Sequence, residues 1–161
     1  MRFFVTPSSA PKPKSAYMPL VALLFAAIIL SMAVAQLFHF EDFVPLVESY
    51  GLPGGIVSAH LFASCIVVLE AAALPFLLRM PLSPAMRFVS MVSGWLVVVL
   101  WIAVQIYLNA NGTSSDNSGL LGTVVETNVG WMTVLSLLLL GALAAWVSRG
   151  MWPLAHRKAT R

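Results

Sequence analysis

Four stretches of this chain are each long and apolar enough to cross a hydrocarbon layer about 30 Å thick, which takes about 20 residues in a helix. They cover about residues 17–38, 56–78, 86–108 and 129–148. Each is apolar round its whole circumference, as suits a helix buried in lipid rather than one laid on a soluble core. Composition agrees: 60% of the 161 residues are hydrophobic and only 9% are charged, against about 25% charged in a water-soluble domain. A soluble monomer is excluded, and so is intrinsic disorder, which needs low hydrophobicity. The expected fold is all-α: a polytopic membrane four-helix bundle spanning 17–150, between a disordered tail at 1–16 and a basic tail at 151–161.

The ends of the stretches carry breaking and interfacial residues. Pro19 falls in the first turn of the first span, where a missing N–H is harmless. Gly51-Leu52-Pro53-Gly54-Gly55 precedes the second span, Pro81 and Pro84 separate the second from the third, and Pro153 follows the fourth. Tyr107, Trp131, Trp146 and Trp152 lie near span ends, where amphipathic rings favour the headgroup region.

Charge sets the expected orientation. Arg2, Lys12 and Lys14 precede the first span, Arg79 and Arg87 flank the short second connection, and Arg149, Arg157, Lys158 and Arg161 follow the fourth span. With four spans all nine basic residues fall on one side, while the opposite loops hold Glu41, Asp42, Glu48, Asp116 and Glu126 and no Lys or Arg. The positive-inside rule then puts both termini in the cytoplasm. The net charge of +3 is a topology signal, and no nucleic acid is expected as a partner. The expected partners are the lipid bilayer and other membrane or periplasmic proteins. A basic start, an apolar run and Ala33-Val34-Ala35 also suit a cleavable signal peptide, but the run is longer than an ordinary h-region of 7–15 residues. The Pro/Ser/Lys-rich arm from Thr6 to Ser15 reads as a disordered tail, and no internal repeat indicates an inverted-repeat transporter.

Two outer loops follow from this layout. In Phe40–Tyr50 the apolar residues Phe40, Phe43, Val44 and Val47 recur at helical spacing, with Glu41 and Asp42 in the first turn and Gly51 as a stop. This predicts a short interfacial helix after the first span, serving as a connector. The second loop, Asn109 to Asn128, is rich in Asn, Gly and Ser and long for so small a protein; such loops are functional or flexible. Asn111-Gly112-Thr113 matches the glycosylation pattern and reads as chance here.

Polar residues inside the spans supply the candidate sites. Glu70 is the one ionisable residue deep in a span, and an intramembrane carboxyl is costly enough to mark function by default. Depth counting puts it level with Ser93, with Ser90 nearby and Arg87 about 10 Å nearer the cytoplasm at 1.5 Å per residue. Glu70, Arg87, Ser90 and Ser93 form the first candidate, as a proton or ligand site; the plainer reading is a neutral Glu joining helices. Gln36, His39, His60 and Gln105 share a layer near the outer ends and form the second, a pocket for a polar head such as a quinone carbonyl, with Trp101 or Tyr107 beside it. The plainer reading is that helix ends grow polar as they near water, and it is preferred. No metal site is indicated, since His39, Glu41, Asp42 and His60 lack any diagnostic spacing and His156 stands alone. No cofactor is evident, although quinone is possible chemistry for the outer pocket. Cys65, the single cysteine, reads as a small apolar residue.

The run Gln36-Leu37-Phe38-His39-Phe40-Glu41-Asp42-Phe43, the later Tyr50-Gly51-Leu52-Pro53 and the pair Leu69-Glu70 resemble the MauE/DoxX superfamily of small four-helix bacterial membrane proteins. Relatives near MauE carry Asp-Cys-Gly-Cys-Phe-Gly before the last span, where this chain has Asn117-Ser118-Gly119-Leu120-Leu121-Gly122. Both glycines align, and Ser118 and Leu120 stand where the cysteines would be. The resemblance implies an accessory role in a periplasmic redox or protein-maturation process of the methylamine-utilisation type. Thiol–disulfide exchange needs a thiolate, so this chain would act without dithiol chemistry. A non-catalytic subunit of a larger membrane complex and a quinone-linked oxidoreductase subunit are the alternatives.

Overall fold

The computed structural model describes residues 13–112 and 117–152. Among them the chain is all-helical with no strand, and isolated bridge residues include the pair Asn117 and Asn128. Five helices follow in order: α1 (Met18–Phe38), α2 (Phe40–Ser49), α3 (Gly55–Leu77), α4 (Pro84–Asn111) and α5 (Trp131–Gly150). Four of them, α1, α3, α4 and α5, are long and apolar enough to cross a membrane, which is the architecture of a multi-pass membrane protein. The positions read from sequence as Arg2, Lys12, Asp116, Pro153, His156, Arg157, Lys158 and Arg161 lie outside the described residues, as does Thr113 of the glycosylation triplet.

The four long helices close a ring in the order α1–α3–α4–α5, with α3 and α4 sharing the largest interface. Neighbours run antiparallel. Ser90 near the start of α4 meets Phe76 near the end of α3, and Trp95 in the first half of α4 meets Ser148 near the end of α5. The core between them holds Phe25, Ile29, Ile66, Val97 and Trp101. Outward, Leu20, Leu61 and Met132 are 66%, 67% and 79% exposed. A belt of exposed large apolar side chains around the helices is a liability in water and natural in hydrocarbon.

Helix ends follow local chemistry. Ser83 caps α4 by accepting the Met86 N–H at 3.3 Å, with Pro84 in the first position, and this moves the start two residues ahead of the expected one. At the end of α3 the Met80 N–H reaches the Pro75 carbonyl and the Arg79 N–H reaches the Phe76 carbonyl. That is a Schellman closure, and its left-handed position is filled by Arg79, with φ 57°, in place of the usual glycine.

Helix α2 does more than connect. It packs across α3 at the end of the ring that carries the 117–128 segment. Of its predicted apolar stripe Phe43, Val44 and Val47 are buried and Phe40 is half-buried, and Tyr50 at its end is fully enclosed.

Candidate functional site

Glu70 lies on the inner face of α3 with no solvent exposure. Its Oε1 accepts the Gln36 amide N–H from α1 at 3.2 Å and the Trp101 indole N–H from α4 at 3.4 Å. Three helices thus converge on one carboxyl oxygen, and both donors are neutral. Phe62 presses edge-on against Trp101, ring centroids 5.6 Å apart.

Helix geometry explains why these partners meet. Side chains lean toward the N-terminus of their own helix. In an antiparallel bundle Glu70 therefore leans toward the 117–128 end, while Gln36 and Trp101 lean back toward it. Arg87, Ser90 and Ser93 on α4 lean the opposite way from Glu70. The hydrogen bonds of Glu70 therefore go to Gln36 and Trp101 and not to the other members of the first sequence-derived grouping. The Arg87 guanidinium donates to the Leu82 carbonyl at 3.1 Å, and the Ser93 hydroxyl donates to the Val89 carbonyl of its own helix.

Ser90 has a different task. Pro75 interrupts α3, and the Phe76 N–H, one residue on, donates to Ser90 Oγ at 3.0 Å. The same hydroxyl donates to the Ala72 carbonyl at 2.6 Å and approaches the Ala73 carbonyl at 3.2 Å. It stands in for backbone bonds loosened at the proline, as a neighbouring Ser can do inside a membrane. One turn on, Gly94 faces Ala73, and a Cβ there would meet the Ala73 Cβ at an ordinary contact distance of 3.5 Å.

The second sequence-derived grouping divides. Gln36 and Gln105 turn inward and are fully buried, whereas His39 and His60 are exposed. His39 sits 3.7 Å from Asp42 on the surface. Gln36 instead bonds to Glu70, so one member of each predicted grouping meets the other while the remaining members do not join them.

What sequence reading missed is the roof. The second Gln36 N–H bond goes to the Leu120 carbonyl at 3.1 Å, and Gln105 donates to the Ser118 carbonyl at 2.9 Å. The segment is further pinned by Asn117, whose Oδ1 accepts the Gly119 and Thr127 N–H groups and whose amide donates to the Gly122 carbonyl. The Ser118 and Thr127 hydroxyls pair with each other, and the Ser118 N–H meets the Thr127 carbonyl at 2.6 Å. Two glycines allow this close seating. Both have positive φ, and a Cβ on Gly122 would lie 2.9 Å from the Ala35 carbonyl oxygen, while one on Gly119 would strike the Tyr50 hydroxyl. The signal in the sequence was the Asn117…Gly119…Gly122 spacing, which marks turns without saying where the turn docks.

Several polar atoms in this region have no hydrogen-bond partner among the described residues: Glu70 Oε2, Gln36 Oε1, Gln105 Oε1, Tyr50 Oη and Thr123 Oγ1. Burial holds the Tyr50 phenol above its ordinary pKa, so it stays a neutral hydroxyl. Beside the roof, between α1 and α5, runs a groove of about 410 Å³ lined by Ile28, Met32, Leu120, Leu121, Leu137 and Leu140. Leu120 thus serves both places, with its carbonyl on Gln36 and its side chain in the groove. Among the described residues no group of three or more His, Cys, Asp or Glu could hold a metal ion. Cys65 faces outward from α3 and is exposed.

No family model, no curated protein and no solved structure matches this chain.

Proposed function

We propose that this protein is a MauE/DoxX-like accessory component of a periplasmic redox or protein-maturation process in a bacterial inner membrane, acting through the Glu70 cluster. Both termini lie in the cytoplasm in this reading, and α2 and the 117–128 roof face the periplasm. The observation that carries it is the seating of Ser118–Gly122 over Gln36, the residue that holds Glu70. This is the run that the resemblance aligns with a cysteine motif. With Ser118 and Leu120 in the cysteine positions, the chain keeps a capped carboxyl and supplies no dithiol.

Glu70 is the residue on which the reading turns. It is the one carboxyl inside a spanning helix, and it would serve as the ligand or proton site. A Glu70→Gln variant preserves size and hydrogen bonding to Trp101 while removing the acid. Expressed in a strain lacking the native chain, it should reach the membrane in normal amount and fail to support the process. Full activity would reduce Glu70 to a structural tie and favour the non-catalytic subunit. Orientation is tested separately: a Val125→Cys, Cys65→Ser chain should react with a membrane-impermeant maleimide from outside the cytoplasm, and reaction only from inside would reverse the layout.

A quinone-linked subunit is the second reading, favoured by the apolar groove that ends at Leu120 next to Gln36. It requires quinone to be recovered by organic extraction of the purified protein.

A further inference from the structure

The unpartnered atoms beneath the roof share one chemical character. Glu70 Oε2, Gln36 Oε1 and Gln105 Oε1 are acceptors, and Tyr50 Oη can accept as well as donate. All four residues are fully buried. Three of them meet the 118–122 segment directly, and Glu70 is tied to it through Gln36. Gln36 binds Glu70 and Leu120, Gln105 binds Ser118, and Tyr50 Oη abuts Gly119 between them. Trp101 and Gln105 lie one turn apart on the same face of α4.

The local donors are largely spent. Gln36 uses its amide on Glu70 and Leu120, and the single indole N–H of Trp101 is on Glu70. Apart from the Tyr50 hydroxyl, the cluster therefore offers oxygen atoms and one carboxyl, and what it lacks is positive charge. A buried carboxyl either takes up a proton or is compensated by a cation, and both groups bonded to Glu70 are neutral.

We propose that this cluster binds one small monovalent cation, an alkali metal ion or ammonium, held by the oxygens of Glu70, Gln36 and Gln105 beneath residues 118–122. Hard cations take oxygen ligands of this kind. One carboxyl balances one positive charge and would leave a divalent ion uncompensated. The set contains no imidazole or thiolate, the ligands that select softer metals. Alkali ion and ammonium share the chemistry of a bare single charge seeking acceptors. Water could meet the acceptors but would bring no charge.

The inference rests on the Glu70 cluster being the functional centre, and its test is independent of any cellular process. Thermal unfolding of the purified full chain in detergent is followed in choline chloride, a quaternary ammonium salt without N–H donors. Sodium, potassium or ammonium chloride then replaces it stepwise at constant ionic strength. At least one of the three should raise the unfolding temperature saturably, as a ligand of the folded state does. The rise should vanish in Glu70→Gln, persist in Asp42→Asn, and need roughly tenfold more cation in Gln105→Leu, about one hydrogen-bond-sized loss of affinity. Identical curves in all four salts, or a rise that survives Glu70→Gln, would overturn the proposal. Should Glu70→Gln not fold, an unchanged midpoint in Gln105→Leu would overturn it equally. No cation effect combined with an inactive Glu70→Gln in cells would reject the cation and leave the functional reading standing. The reverse pattern would do the opposite.

Discussion

Gln36 and Glu70 are 34 residues apart in the chain, and one amide N–H joins them at 3.2 Å while the other reaches the Leu120 carbonyl at 3.1 Å. A single side chain near the end of α1 therefore holds both the buried carboxyl of α3 and the segment that covers it. Replacing Gln36 with Leu should disturb both at once. A lost partner for a buried polar group costs about 1–3 kcal/mol, so the unfolding temperature in detergent should fall. Hydrogen exchange at residues 118–122 should rise above that of the wild type. Loosening confined to α3, with 118–122 unchanged, would show that the roof is held by other means.

Ser90 and Pro75 should be energetically coupled. Ser90→Ala leaves the Phe76 N–H and Ala72 carbonyl without the bridging hydroxyl and should cost about 1–3 kcal/mol. In a Pro75→Ala background the helix can close its own backbone bonds, and the same change should cost much less. A double-mutant cycle on unfolding free energies measures the difference; additive effects would mean that the hydroxyl has no bracing role.

The roof glycines should differ sharply from a glycine in open space. Gly112 has a positive φ but nothing near its missing Cβ, so Gly112→Ala should carry only the backbone strain of about 1 kcal/mol. At Gly122 an added Cβ would meet the Ala35 and Gln36 backbone, which cannot swing aside as a side chain could. Gly122→Ala should therefore lower stability further and open residues 118–122 to proteolysis. Equal effects at the two positions would argue against tight seating.

Arg79 occupies a left-handed position that glycine adopts without penalty. Arg79→Gly should stabilise the folded chain by up to about 1 kcal/mol, read as a higher unfolding temperature. An Arg79→Lys control, which keeps charge and strain alike, should not gain. Equal gains in both would assign the effect to something other than the backbone.

The four long apolar helices and the short helix after the first were legible from the order of residues, because a span asks each segment separately for about 20 apolar positions and leaves a plain record in hydropathy. The Ser83 cap, two residues ahead of the expected start of α4, was not read from that order, whereas breaks at Pro and Gly and the apolar stripe of α2 are likewise local properties. Glu70 stood out alone for the same reason: its cost depends on depth in one helix. The choice of its partners is a relation between helices. Depth counting along α3 and α4 pointed to Arg87, Ser90 and Ser93, but side chains in antiparallel neighbours lean in opposite directions, which brought Gln36 and Trp101 to the carboxyl instead. The seating of Ser118–Gly122 was settled only in three dimensions too, since turn residues specify how a chain bends and leave open what it bends onto. The sequence by itself thus determined the spans and singled out the buried acid, while the tertiary structure decided its neighbours and its cover, because hydrogen bonds between segments depend on the register and direction in which those segments pack.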